Sequence, residues 1–395
     1  MKRTFFIATE GEIRKGLTTD IYFERTVSIL KEKNISQHVT AEVTCGSIPH
    51  AWPWGILLGT EDVAHLFDGI PVTIYALKEG TVFRPKDEQG VRTPVMVLEG
   101  DYAGFCIYET PLLGFICQAS GIATAAARIK KVAGEKSVLS FGARRMHPVI
   151  TPMISRACYC AGFDGVSAVI SANLLHIPPT GTMPHSLVIV MQDHAAAWKA
   201  FDEVIDTSVQ RVALCDTYLD EKTESIMASE SVKDLFGVRL DTPGSRRGNF
   251  KEIIQEVRWE LAVRGFTDVK IFVSGGLTEE SVQELHSFVD GFGVGTYVSN
   301  GRTIDFSMDI VQVGDRFAAK RGKFSGKKQI YRCMECLKDV IVPWDADIPE
   351  CEDHGPMEPL LEPLVEQGTI VRDMEDPQAI RKYVLDQVKS LQLQE

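Results

Sequence analysis

SFGARRMHP at 140–148, GFDGVSAVISA at 162–172 and IPPTGTMPHS at 177–186 form the stretch whose reading decides the fold. A basic pair follows one strand-like piece, a Gly/Ser turn follows the next, and a Thr-Gly-Thr turn ends on a histidine. Arg144, Arg145, Ser167, Thr182 and His185 therefore fall at successive element ends. Guanidinium forks, backbone amides and a titratable ring together suit a multiply anionic ligand. Any one of these residues alone could be an ordinary loop residue, so the case rests on recurrence of the pattern downstream.

It recurs. SVLSFGARR (137–145), DGVSAVISA (164–172), PTGTMPHS (179–186), RVALCDTY (211–218), FGVRLDTPG (236–244), KIFVSGGL (270–277) and DGFGVGT (290–296) are short strand-like pieces. Amphipathic stretches such as AAAWKAFDEVI and FKEIIQEVRWELAVRG separate most of them. Strand-then-helix units of this length predict a parallel β/α architecture, and about seven of them suit a closed or nearly closed barrel. Parallel strands end on one face, so Arg144, Ser167, His185, Asp216, Arg239, Asp241, Gly275, Gly276, Gly295 and Thr296 would converge on one mouth. HSLVIVMQ (185–192) reads as strand by its β-branched content and as helix by its position.

Ahead of this region, TTDIYFERTVSILKEK (18–33) predicts a helix from near Ile21 with Ile21, Val27 and Leu30 facing inward. HVTAEVTC, VTIYALKEGTVF and PVMVLEG predict a strand-rich module, and ASGIATAAARIKKVAG (119–134) a helix. Beyond Asp305 come a basic segment, GDRFAAKRGKFSGKKQIYRC, an acidic Pro-rich one, and a surface helix within 377–394. The division expected is a strand-rich α+β domain at 1–115, the β/α barrel at 116–318, and a small C-terminal zinc-knuckle region with the terminal helix at 319–395.

Asp216 and Asp241 suit ribose hydroxyls or a Mg²⁺ shared with a pyrophosphate, or else cap the helices that follow. The glycine turns SGGL and GFGVGT allow close approach of backbone amides to phosphate. His185 could act as general base, phosphate partner or phosphoryl acceptor. Cys333 and Cys336 are spaced CxxC, and Cys351 and His354 CxxH. Two such knuckles supply the four ligands of a closed structural zinc site.

With 395 residues and 44% hydrophobic content, the chain can bury a large core. Apolar runs look too short to cross a bilayer, and the N-terminal residues lack the pattern of a signal peptide, so a cytoplasmic protein without membrane association is expected. Nine scattered cysteines argue for thiols or a metal rather than disulfides. A net charge of −12 disfavours nucleic acid, so an anionic ligand must be held by a local basic pocket.

The ordered set TDxY, ETPLL, SFGARR, DGxS, GTMxHS, DTY, VRLD, SGGL and FGVGT, from about Thr19 to Lys328, resembles the nicotinate phosphoribosyltransferases. The resemblance is to their compact form with a C-terminal zinc knuckle. It implies an irregular, type II phosphoribosyltransferase-like barrel. It also implies condensation of nicotinate with phosphoribosyl pyrophosphate to nicotinate mononucleotide and pyrophosphate, coupled to ATP hydrolysis in NAD salvage. Phe141 and Tyr22 would sandwich the pyridine, Tyr22 coming from the second subunit of a dimer with shared sites. Arg144 and Arg239 would face anionic groups, and Asp216 and Asp241 the ribose and Mg²⁺. Gly275, Gly276, Gly295 and Thr296 would face the 5′-phosphate, and His185 would be the histidine phosphorylated by ATP. The chain departs from the family pattern at Ala168, at Pro184 and in TPGSRRGN (242–249).

Two alternatives stand beside this reading. One is a nicotinamide or quinolinate phosphoribosyltransferase; Ser167, where the nicotinamide enzyme would place an aspartate, favours a carboxylate substrate. The other is a non-catalytic zinc-containing interaction protein using the basic 316–328 segment.

Overall fold

A computed structural model describes residues 3–394 and divides the chain into two compact units. One unit comprises residues up to 124 together with 302 onward, the other residues 125–301. The boundary falls inside the helix Glu109–Ala133.

The second unit is built on six parallel strands in the order Gly165–Val166, Ser137–Ser140, Gly291–Val294, Lys270–Ser274, Gly237–Leu240, Val212–Leu214. Val138, Val238, Leu240, Ile271, Val273, Phe292 and Val294 are fully buried, as expected of parallel strands covered by helices. The sheet is open, with its edges at Gly165–Val166 and Val212–Leu214. This corrects the expected closed or nearly closed barrel. The seventh piece, PTGTMPHS, is irregular and touches the sheet through the Thr180 N–H to the Val166 carbonyl at 2.9 Å. Pro178, Pro179 and Pro184 lack the N–H groups a ladder requires, so this stretch cannot become a strand. HSLVIVMQ resolves as the helix His185–Met191, ended by Gln192 in the left-handed region. The helix Phe250–Val263 buries Phe250, Ile254, Val257 and Leu261 at helical spacing.

The first unit holds a seven-stranded antiparallel sheet in the order Arg316–Phe317, Phe306–Val313, His38–Cys45, Pro94–Asp101, Val72–Ala76, Glu362–Glu366, Thr369–Ile370. Residues 306–318, read from sequence as the end of the barrel, are thus strands of this sheet, and the C-terminal third contributes to it at both edges. Of the residues expected to face inward on the helix Ile21–Glu32, Ile21 is exposed and Val27 and Leu30 are half-buried; Phe23, not expected there, is its buried residue. The run Thr110–Ala127 carries no charge, and the helical stretch Tyr102–Ala133 that contains it is long and apolar enough to cross a membrane. That corrects the expectation of uniformly short apolar runs. Its most apolar window is 72% buried within the protein, the burial of a core helix.

Each lysine of the basic segment has an acidic partner within the first unit, Asp309 serving two of them. Lys320 and Lys323 pair with Asp309, Lys327 with Glu99 at 2.9 Å, and Lys328 with the buried Glu42 at 2.9 Å. Lys327 also lies 4.0 Å from the centroid of Tyr75 and 3.6 Å from that of Trp344. Lys323, Lys327 and Lys328, held in this way, are not free to neutralise nucleic-acid phosphates.

Candidate functional site

Every strand of the parallel sheet hands over a polar or glycine residue just past its carboxyl end: Phe141-Gly142, Ser167, Asp216, Asp241, Gly275 and Gly295. Of these, Phe141, Ser167, Asp241, Gly275 and Gly295 line one cleft of about 850 Å³, together with Arg144, Thr182, His185, Arg239, Gly276 and Thr296. Asp216 is not in that lining but accepts the Asp241 N–H at 2.8 Å. Tyr22 is not among the lining residues; it is half-exposed on the helix Ile21–Glu32 of the other unit, where its hydroxyl donates to Asp20 Oδ2 at 3.3 Å.

At the centre stands His185. Its Nε2 is 3.7 Å from Asp216 Oδ1 and 3.7 Å from Asp241 Oδ2, ion-pair separations longer than a hydrogen bond, and its Nδ1 is 3.0 Å from Thr217 Oγ1. The Asp241 carboxylate first, with Asp216 adding to it, holds the imidazole above its ordinary 6.5 despite partial burial. The aspartates move in opposite directions. Burial pushes Asp216 up, although the His185 charge, the Asp241 N–H and the Thr242 hydroxyl oppose it. Burial acts on Asp241 as well, but His185, the Ser274 hydroxyl donating at 2.6 Å and the Arg239 charge together outweigh it and hold Asp241 low. Carboxylates separated in this way can take different roles in one site.

Arg239 is largely buried, and burial lowers the stability of its charge. Its Nη2 donates to the Met183 carbonyl at 3.3 Å and its guanidinium carbon lies 5.8 Å from the Phe141 ring centroid, but Nε has no partner. Asp216 Oδ1 is likewise buried without a hydrogen-bond partner. Buried donors and acceptors are rarely left open, so each marks a place where ligand, cation or water completes the site. Hard carboxylate oxygens of this kind fit Mg²⁺. Phe141 can hold its ring over the sheet because residue 293 is glycine: a Cβ there would sit 2.3 Å from Phe141 Cε2.

Sequence reasoning missed Gly293, although DGFGVGT contains it, and it missed Arg247 inside TPGSRRGN. It also missed Glu224, a fully buried carboxylate that accepts the N–H groups of Thr217, Tyr218 and Leu219 at 2.9, 2.6 and 2.8 Å and fixes the turn after Asp216. A glutamate inside an unremarkable helix gives no local signal of that duty.

In the first unit, one ligand atom from each of Cys333, Cys336, Cys351 and His354 lies within 4.8 Å of the others. Cys336 Sγ is 3.9 Å from Cys351 Sγ, and His354 Nδ1 is 3.5 Å from Cys333 Sγ and 3.4 Å from Cys351 Sγ. Tetrahedral zinc with ordinary Zn–S and Zn–N bonds requires edges of roughly 3.5–3.8 Å, so this group could hold a metal of that size. The cluster is anchored by the residue before its first ligand. Arg332, fully buried, donates to both Asp339 carboxylate oxygens at 2.6 and 2.8 Å.

An open parallel α/β sheet with basic, acidic and glycine groups around one carboxyl-end cleft is the framework of a phosphoribosyltransferase. The model of the quinolinate phosphoribosyl transferase C-terminal domain matches residues 122–309, and that of its N-terminal domain residues 20–120. A crystal structure titled nicotinate-nucleotide pyrophosphorylase from Pyrococcus furiosus is 53% identical, covers 98% of this chain and 99% of that one, and superposes with a TM-score of 0.95. Human nicotinic acid phosphoribosyltransferase shares the fold, with a TM-score of 0.78 at 20% identity over 95% of this chain and 94% of that one. A nicotinate phosphoribosyltransferase of Mycobacterium tuberculosis is 30% identical over 312 residues, 76% of this chain; the chain spans 64% of that relative's length. The chain belongs to the family that the two domain models describe, the quinolinate phosphoribosyl transferase family, and is similar within it to proteins named nicotinate phosphoribosyltransferase.

His185 should titrate above 6.5 in the free protein. Its charged form then adds stability in full below about 6.5, and that contribution is lost as pH rises through the raised value. Asp241→Asn should lower the His185 titration midpoint, measured by NMR of the imidazole; an unchanged midpoint would show that the aspartates do not set the charge of this ring.

Proposed function

We propose that the chain condenses nicotinate with phosphoribosyl pyrophosphate to give nicotinate mononucleotide and pyrophosphate, a step of NAD salvage. The observation that carries this reading is the cleft in which an aromatic ring, a largely buried arginine with an open donor, Asp241 and two glycine turns face one space, with Asp216 hydrogen-bonded to Asp241 beside it. Phe141 would stack on the pyridine. Arg239 and Arg144 would meet the carboxylate, and the Ser167 hydroxyl adds a neutral contact that does not repel it. Gly275, Gly276, Gly295 and Thr296 would hold the 5′-phosphate, Thr182 lines the same wall, and Asp216 and Asp241 would hold the ribose and Mg²⁺. Mg²⁺, when bound, would screen the charge of the departing pyrophosphate.

The ring nitrogen attacks C1 of the ribose with its lone pair as the C1–oxygen bond to pyrophosphate breaks, so no base is required. The protein's work is orientation and stabilisation of charge around an oxocarbenium-like state. A carboxylate buried against two guanidiniums is favoured over a neutral amide, which would leave them unpaired. ATP would be coupled through phosphorylation of His185, which needs a neutral imidazole. Its rate should rise with pH through the raised His185 value.

Incubation with phosphoribosyl pyrophosphate, Mg²⁺ and either nicotinate, nicotinamide or quinolinate should yield mononucleotide mainly from nicotinate, and ATP should stimulate it. Product formed preferentially from quinolinate, with release of CO₂, would replace this reading by the quinolinate one. His185→Ala should abolish ATP hydrolysis and ATP stimulation while leaving slow transfer; a variant that hydrolyses ATP like the parent would sink the phosphohistidine role.

The Cys₃His group is proposed to hold one structural zinc per chain, with no open position and no part in the chemistry. Cys333→Ser should lose the metal and destabilise the first unit, read by elemental analysis and thermal melting. A variant with unchanged metal content ends that proposal.

A dimer with shared sites is also proposed, Tyr22 of one subunit reaching Phe141 of the other. The exposed apolar side chains Ile21 and Tyr22 in the first unit, and Val169, Ile170 and Leu174 in the second, support a covered surface. Mixing inactive Tyr22→Ala and Arg239→Ala chains should restore part of the activity, because a hybrid dimer keeps one intact site. No recovery after verified subunit exchange counts against sharing.

A further inference from the structure

Arg247 stands in the loop between the strand Gly237–Leu240 and the helix Phe250–Val263, and it is not among the residues that line the cleft. Its Nε donates to the Thr242 carbonyl at 2.9 Å. Its Nη2 donates to the Ser274 carbonyl at 3.2 Å and also to the Gly275 carbonyl. The guanidinium carbon lies 4.3 Å from the ring centroid of the buried Phe250, which fixes its plane. One planar fork therefore grips two turns, the one after Asp241 and the one at Gly275.

This grip matters because the sheet has already ended. Leu240 and Val273 are the last partners in the ladder between those strands. Beyond them, among the described residues, the turns are joined by hydrogen bonds from side chains: the Ser274 hydroxyl on Asp241, and Arg247. A trans peptide sets its C=O and N–H in opposite directions. Holding the Ser274 and Gly275 carbonyls from behind therefore turns the N–H groups of Gly275 and Gly276 away from Arg247, and both glycines line the cleft. Neither N–H has an acceptor among the described residues. Both glycines have positive φ, +89° and +70°, a conformation in which successive amides are free to face one ligand.

We infer that Arg247 is a positioning residue: from behind the turns it aims the Gly275 and Gly276 amides and sets their separation from Asp241. The inference rests on the proposed reading of this cleft, in which those amides receive a sugar 5′-phosphate. Lysine cannot replace arginine here, because a single ammonium on a flexible stem does not reproduce a fork held flat on an aromatic ring.

The test is calorimetric binding of ribose 5-phosphate to the full chain and to Arg247→Lys and Arg247→Ala, with melting temperature and KM for each substrate read in parallel. Both variants should weaken ribose 5-phosphate by about tenfold to a hundredfold, the order expected when binding groups are misplaced by about an ångström. KM for phosphoribosyl pyrophosphate should rise while KM for nicotinate holds. Millimolar guanidinium should restore part of the affinity of Arg247→Ala; if that variant does not fold, Arg247→Lys is decisive alone. Unchanged affinity in a folded variant overturns the inference. So does a loss that follows a fall in melting temperature and resists guanidinium. Failure of the parent chain to bind ribose 5-phosphate would instead overturn the phosphate reading itself.

Discussion

One buried carboxylate ties the site together. Asp216 Oδ2 accepts the Asp241 backbone N–H at 2.8 Å and the Thr242 hydroxyl at 3.1 Å, joining the ends of adjacent strands where their ladder has stopped. The one Thr242 hydroxyl proton is shared between Asp216 and the buried Glu221, whose oxygen is the nearer at 2.5 Å, and Glu224 gathers the three amides that follow Asp216. With Oδ2 committed to this frame, Oδ1 is left unpaired toward His185. The same side chain is thus structural through one oxygen and available through the other. A buried carboxylate whose partners have been removed is strongly disfavoured, which is why a frame of this kind tolerates little change.

The environment also divides labour between chemically identical groups. Asp241 is held ionised by a ring, a hydroxyl and a guanidinium, whereas Asp216 is pushed toward its neutral form by burial. A cation arriving between them would reverse the second effect, since a nearby positive charge favours the ionised carboxylate. Binding of a cation there and ionisation of Asp216 would therefore reinforce each other. A chain of net charge −12 would hold a polyanion on these terms through the charges within the cleft, since the lysines of the 316–328 segment already have acidic partners.

What could be read from sequence follows from range. The strand ends were legible because polar or glycine residues interrupt short apolar runs, and parallel strands put such interruptions on one face; Ser167, Asp241, Gly275 and Gly295 all follow from that rule, whereas Phe141 was named only through the family resemblance. Closure of the sheet was misjudged because the prolines of 178–184 outweigh a strand-like rhythm. The pairing of Phe306–Val313 with His38–Cys45 joins segments far apart in sequence, and no local pattern reports such a partner. Ile21 was turned the wrong way because helical spacing gives a face but does not say whether this chain or another covers it.

Arg247 shows the same limit at the scale of one side chain. Its segment, TPGSRRGN, reads as a polar turn, and nothing in its composition separates Arg246, which is exposed, from Arg247, which is half-buried on Phe250. The distinction is made by the aromatic first residue of the following helix, three positions on, and by two carbonyls from another strand. Glycine was legible at 275 and 276 because only glycine takes those backbone angles without strain. The residue that orients their peptides was not, since an arginine bound to carbonyls obeys no spacing rule. Anion-binding turns of this type depend on what holds the oxygens behind them as much as on the amides in front, and that second requirement is visible only in three dimensions.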